Sequence, residues 1–256
     1  MAYRVIDAIY CRMTEPIAQW SSIMLRTRRA ELMDDPNLDP LLHSEALRGL
    51  AQLNFFSFTG NEIWQQLKIF SEHNRSQAIR VLDLATGGGD IPIMLAKRAR
   101  CAGLNFEFVG ADISPTAVRF ANERATKEKA SVSFLELNVL NQNIPQGFDV
   151  IMTSLFTHHL DPMQVIDLLV KMRSATNQLV LVNDLIRGAF SLTIVSLATK
   201  ILSNSKIVHH DGPASVRASY TIDEMRDMAK QSGLDNCIIH HSFPCRMLLV
   251  WRKSYE

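Results

Sequence analysis

The sequence is short of the features that mark several protein classes. Its four cysteines, Cys11, Cys101, Cys237 and Cys245, include no CxxC pair. That spacing excludes a disulfide framework or a cysteine zinc site and leaves free thiols in a reducing compartment as the expectation. Charge of one sign is also missing: 27 Lys and Arg against 26 Asp and Glu leave a net of +1. A nucleic-acid partner would ask for a far more basic surface. Long hydrophobic runs are absent too. The greasiest stretch, AFSLTIVSLATKIL (189–202), is interrupted by Ser and Thr and falls short of the roughly 20 apolar residues of a membrane-spanning helix. The opening MAYRVIDAIYCRM interleaves charges with apolar residues, so no signal peptide is expected and the cytoplasm is the default location. What remains is a chain of 256 residues, 47% hydrophobic and 21% charged. That suits a soluble α/β domain with an accessory segment.

Two regions differ in pattern. Residues 1–75 read as a helical cap, with helices expected over 3–13, 16–33, 41–53 and 60–72 and Asp39–Pro40 as an N-cap followed by proline. Residues 76–256 read as an α/β domain. Strands are expected at 79–85, 105–112, 131–138, 148–155 and 177–184, separated by helices near 91–99, 115–128 and 161–173. Near-continuous apolar runs between helices imply buried parallel strands, hence a doubly wound sheet with its ligand crevice at the C-terminal strand ends. A lid insertion is expected over about 187–220, with a helix at 189–203 and a loop at 205–220. Thr221 and Glu224 form a capping box for a helix over 221–232. A closing hairpin over 235–243 and 245–253 turns at Pro244.

The strongest chemical signal is VLDLATGGGD (81–90), a strand running into three glycines and then a helix. Such a turn lets a ligand approach the backbone beside the free N–H groups of a helix N-terminus. Asp112 closes the following strand, where a carboxylate can take both hydroxyls of a ribose. Each feature alone also reads as a tight turn or a helix cap; together they point to a nucleoside site. A P-loop is excluded by the lack of GK[ST], and Pro92 stands where the NAD fingerprint wants its third glycine.

VLDLATGGGD resembles the first motif of class I S-adenosylmethionine-dependent methyltransferases, (D/E)xGxGxG, with Asp83, Gly87 and Gly89 in register and Ala85 in place of the first glycine. The resemblance covers about 79–184 and implies a Rossmann-like, seven-stranded sheet with a reversed C-terminal strand. It also implies S-adenosyl-L-methionine as cofactor. Gly87 and Gly89 would border the methionine portion, Asp112 would bind the ribose and Asn138 the adenine; Asp83, Ala85, Thr86, Ile113, Val139 and, at the mouth of the crevice, Ser154 complete the expected cofactor site. Asn138 replaces the family's customary acid and retains hydrogen-bonding capacity. The whole layout is similar to quinone- and polyketide-modifying enzymes of the family, especially around HHDGPASVRASYT (209–221).

Methyl transfer to a hydroxyl needs a proton acceptor near the fourth and fifth strand ends. SLFTHHLDP (154–162) offers His158 and His159 there, and LVLVNDL (179–185) offers Asp184. His159 is the expected base with Asp184 supporting it, and His158 is the alternative; both could instead only line the pocket. Phe55, Phe58, His210 and Arg217 are the expected substrate contacts. No histidine pair has the i, i+4 spacing of a zinc helix, so no metal is expected. SLFT lacks the (D/N/S)PP(Y/F) signature of DNA amino-methyltransferases. The acceptor is therefore expected to be a hydrophobic small molecule methylated on oxygen, with carbon methylation as the alternative and a homodimer allowed. A nicotinamide-dependent oxidoreductase and a non-catalytic cofactor-binding subunit are the readings from other classes.

Overall fold

The computed structural model describes residues 24–35, 38–56, 59–74 and 77–253. Helices α1 (Pro40–Phe56) and α2 (Thr59–His73) precede strand β1 (Ile79–Leu84). Helix α3 (Asp90–Cys101), strand β2 (Phe106–Asp112), helix α4 (Pro115–Lys127) and strand β3 (Val132–Glu136) follow. Next come β4 (Phe148–Ser154), a 3-10 turn (Thr157–His159), α5 (Pro162–Ala175) and β5 (Thr176–Leu185). The chain ends with α6 (Ala189–Leu202), α7 (Lys206–Ala218), α8 (Ile222–Gln231), β6 (Ile238–Ser242) and β7 (Arg246–Arg252).

These strands form one seven-stranded sheet in the order β3-β2-β1-β4-β5-β7-β6. The first five are parallel, and β7 runs antiparallel to both β5 and β6. Strand order therefore reverses between β1 and β4, the point where an open α/β sheet leaves a ligand crevice. Alternate side chains feed two cores, as the period of a strand requires. Leu82, Leu84, Ile151, Val180 and Val182 pack with α5 and α8 on one face. Val81, Val150, Met152, Leu179 and Leu181 pack with α2 and α3 on the other. The caps fall where expected: Asp39 Oδ1 accepts from the backbone N–H groups of Leu41 and Leu42, and Thr221 with Glu224 closes a capping box.

Two expectations are corrected. The helix expected over 3–13 lies outside the described residues, as does the start of that over 16–33, but residues 24–31 have no regular secondary structure. Tertiary partners outweigh local propensity there. The Arg26 guanidinium lies over the Tyr220 ring at 4.1 Å and donates to the carbonyls of Ala218, His158 and Leu160. Arg28 donates to the His159 carbonyl and pairs with Asp161. The segment is thus strapped across the C-terminal end of the sheet. The second correction concerns 205–220, expected as a loop and mostly helical as α7 despite Pro213. Gly212 here serves packing: a Cβ would stand 2.5 Å from Thr199 Cγ2 on α6. Buried Asp211 gives α7 a second anchor by accepting from the backbone N–H groups of Leu32 and Met33 in the strap.

Gly110 on β2 shows how tightly the sheet is closed below the glycine turn. A Cβ there would lie 2.5 Å from the Phe134 ring and 2.9 Å from Thr86 Cγ2. Gly110→Ala is therefore expected to destabilise by about 1–3 kcal/mol through overpacking, and Phe134→Leu should recover part of that loss in the double variant. Urea denaturation of the four proteins checks it; strictly additive losses would contradict the contact.

Candidate functional site

The first half of the site is the turn between β1 and α3. Ala85, Gly87 and Gly89 all have positive φ, at 53°, 54° and 69°. Ala85 thus adopts a left-handed conformation despite its Cβ, a strain of about 1–2 kcal/mol. At Gly89 a Cβ would meet the Phe134 ring at 2.6 Å, so both backbone angle and space demand glycine. The turn is held by Asp112 at the end of β2, whose Oδ2 accepts from Gly87 N at 2.8 Å and whose Oδ1 accepts from Ser114 N at 2.9 Å. Ile113 beside it is 64% exposed, a large apolar side chain presented at the crevice rim.

Asp83 lies fully buried in β1 and accepts from Thr86 Oγ1 at 2.6 Å through Oδ2. Its other oxygen, Oδ1, is buried with no hydrogen-bond partner, as is Ser154 Oγ at the end of β4. Burial pushes the Asp83 carboxyl up to about 8; the Thr86 hydrogen bond opposes this, while Asp90 and Asp112 reinforce it. Two orphaned polar atoms thus flank the point where strand order reverses. Native proteins rarely leave such atoms unsatisfied, and an active-site role is one of the recognised reasons. Asn138 is half-buried; its Oδ1 accepts from Leu140 N and Asn141 N. Val139 is buried beside it.

The second half is built on Asp184 at the end of β5. Its Oδ2 accepts from Thr157 Oγ1 at 2.5 Å and from His158 N at 3.0 Å. Its Oδ1 accepts from His158 Nδ1 at 2.7 Å and from Leu185 N at 2.7 Å. Asp184 therefore serves His158, and the expected pairing with His159 is corrected. The 3-10 turn after β4 sends the buried ring of His158 inward to β5 and leaves the His159 side chain 24% exposed.

What faces the outer nitrogens is Glu31, from the strap. Its Oε1 is 3.6 Å from His158 Nε2 and its Oε2 is 3.9 Å from His159 Nε2, while Ser215 of α7 donates to Oε1 at 2.5 Å. Burial alone would lower the His158 pKa, but the Asp184 carboxylate, and then Glu31, push it up to about 10. Burial likewise opposes the Asp184 charge, and His158 outweighs it to hold that carboxyl at about 2. Burial would also raise Glu31, and His158, His159 and Ser215 hold it below its ordinary value. Sequence reading missed Glu31 because nothing local distinguishes it; only the packing of the strap brings it to the histidines. Among the expected substrate contacts, His210 is exposed and bonded to Asp211, and Arg217 is exposed and donates to the Pro213 carbonyl. Neither has joined the histidine cluster. Phe58, and the side chain of Phe55, lie outside the described residues.

The charge pair sets a pH window. A raised His158 stabilises fully below its ordinary 6.5 and loses that contribution as pH climbs through about 10. A depressed Asp184 stabilises above 3.8 and loses it as pH falls through about 2. Asp184→Asn is expected to cost about 3–5 kcal/mol near pH 6, because it strands a buried imidazolium. Urea denaturation checks this, and a loss below about 1 kcal/mol, the range of an exposed pair, would contradict it.

Residues 81–178 match the profile of a methyltransferase-domain family. The chain is 42% identical over 73 residues to the demethylmenaquinone methyltransferase of Thermus thermophilus, a stretch covering 28% of this chain and 31% of that protein. It is 29% identical over 145 residues to the release factor glutamine methyltransferase of Flavobacterium psychrophilum, covering 56% and 47%. The chain therefore spans a third to a half of these curated relatives. Among solved structures, the plantazolicin methyltransferase BpumL, crystallised with a desmethyl-plantazolicin analogue and SAH, superposes with a TM-score of 0.59 at 17% identity, covering 83% of this chain and 97% of that one. The match to the methyltransferase-domain profile thus falls on residues 81–178, within a sheet ordered β3-β2-β1-β4-β5-β7-β6.

Proposed function

We propose that this chain is an S-adenosylmethionine-dependent methyltransferase that methylates a hydroxyl on a hydrophobic small molecule. The observation that carries the reading is the cradle at 83–89 and 112. Left-handed backbone at Ala85, Gly87 and Gly89 opens the turn, and the Asp112 carboxylate at its edge suits a ribose diol. The unsatisfied Oδ1 of Asp83 is an acceptor suited to the cofactor's amino group. Exposed Ile113 suits the flat face of its adenosine, and Asn138 and Val139 border the adenine in the same reading. The cofactor supplies an electrophilic methyl on sulfur. The protein's own residues position the acceptor and handle its proton.

That proton is assigned to the cluster after β4. His159 is the acceptor side because its ring is the more exposed of the two, while His158 is held inward by Asp184. Phe156 packs 6.3 Å from the His159 ring and gives the cluster an apolar wall, in keeping with an aromatic or lipid-like acceptor.

Isothermal titration calorimetry tests the cofactor half. S-adenosylhomocysteine should bind, and Asp112→Ala should weaken it by about 10- to 100-fold, the loss of charge-assisted hydrogen bonds worth about 1.5–3 kcal/mol. Avid binding of NAD with no response to S-adenosylhomocysteine would overturn the reading. Methyl transfer to a panel of apolar phenols tests the other half. His159→Ala should lower the rate by about 10²–10⁴-fold with S-adenosylhomocysteine affinity unchanged, and an unaltered rate in both the His158 and His159 variants would remove the proposed base.

A further inference from the structure

We infer that Glu31, His158 and His159 form a binding site for a divalent first-row transition-metal ion such as Zn²⁺. One oxygen of Glu31 and one nitrogen from each histidine all lie within 4.8 Å of one another. The two gaps, 3.6 Å from Glu31 Oε1 to His158 Nε2 and 3.9 Å from Oε2 to His159 Nε2, are longer than N–H···O hydrogen bonds, which centre near 2.9–3.0 Å. They approach the separations of ligand atoms around a tetrahedral ion, about 3.3–3.5 Å for bonds of about 2.0–2.2 Å. Both outer nitrogens thus address one carboxylate across a space that a small cation would close.

Surrounding contacts have the character of a metal site. His158 presents Nε2, whose proton a bound ion would displace to solvent, because its Nδ1 is bound to Asp184 at 2.7 Å; a carboxylate in that place orients most ligating histidines. Glu31 is steadied by the Ser215 hydroxyl at 2.5 Å. Two imidazoles and a carboxylate suit zinc and its first-row neighbours; magnesium prefers oxygen ligands alone. The Glu31 and His158 side chains are 9% and 3% exposed against 24% for His159, so solvent reaches the trio from the His159 side.

Its role, which rests on the methyltransferase reading, is to bind and polarise the acceptor's hydroxyl oxygen. An ion can lower the pKa of bound water from 15.7 to about 7, and the same effect on a hydroxyl would ease loss of its proton to water. The histidines then act as ligands in the ion-loaded protein, and His159 takes the hydroxyl proton only in the ion-free protein.

The 256-residue protein, stripped with EDTA and dialysed, should bind one Zn²⁺ per chain in calorimetry without any methyl donor. Co²⁺ should give the intense visible bands of a tetrahedral site. Glu31→Gln and His159→Asn should each weaken Zn²⁺ by more than about 10-fold and abolish the Co²⁺ bands, and Asp184→Asn by about 10- to 100-fold. His73→Asn, on the exposed end of α2, should change nothing. His159→Asn guards against misfolding because its ring is partly exposed, and circular dichroism confirms its fold. No Zn²⁺ binding, or equal affinity in the parent, Glu31→Gln and His159→Asn proteins, would overturn the site. Because no donor is present, this result stands apart from S-adenosylhomocysteine binding, and either can fail alone.

Discussion

The carboxylate of Asp184 is fully buried at the end of β5, and it survives there because four donors converge on it: the Thr157 hydroxyl, the His158 backbone and ring, and the Leu185 backbone. A buried anion without such partners would cost several kcal/mol. Satisfying it dictates the course of the chain after β4, since Thr157 and His158 can reach it only through a tight 3-10 turn. That turn presents the paired imidazoles to Glu31 and exposes the backbone carbonyls of 158–160, which Arg26 and Arg28 then clamp. One buried charge at a strand end thereby organises the histidine pair and the strap above it.

The other half of the crevice obeys a different constraint, steric rather than electrostatic. Gly89 and Gly110 both face the Phe134 ring at distances no Cβ could share, so β3 packs directly beneath the turn and fixes its height. Asp112 ties the turn to β2 through Gly87 N. Thr153 of β4 donates to the Leu84 carbonyl at 2.9 Å, linking the ends of β1 and β4 across the point where strand order reverses. The two halves therefore sit at the ends of adjoining strands, β1 beside β4 and β4 beside β5.

Much of this was legible in the residues. Strands such as 148–154 and 176–185 carry unbroken apolar runs, and the glycine turn with its acids has a spacing that physical chemistry constrains tightly. Capping residues at Asp39 and Thr221 announced their helices. The parts that were not legible depend on contacts between distant segments. Residues 24–31 have good helical propensity and stay non-helical because arginines find carbonyls at the end of α7 and around the 3-10 turn. Gly212–Pro213 reads as a break and is instead accommodated where α7 crosses α6. Asp184 and the two histidines were each identifiable, but their pairing follows from which ring the turn points inward. Glu31 carried no signal at all, because its meaning lies wholly in where the strap is pinned.

The central claim is that the glycine turn and the histidine cluster form one site. The most direct measurement is a crystal structure of the protein soaked with S-adenosylhomocysteine. The expected density places the ribose hydroxyls on Asp112, the amino group within reach of Asp83, and the sulfur turned toward Ser154 and the histidine pair. Density for the ligand with its ribose away from Asp112, or its sulfur directed away from β4, would contradict the account.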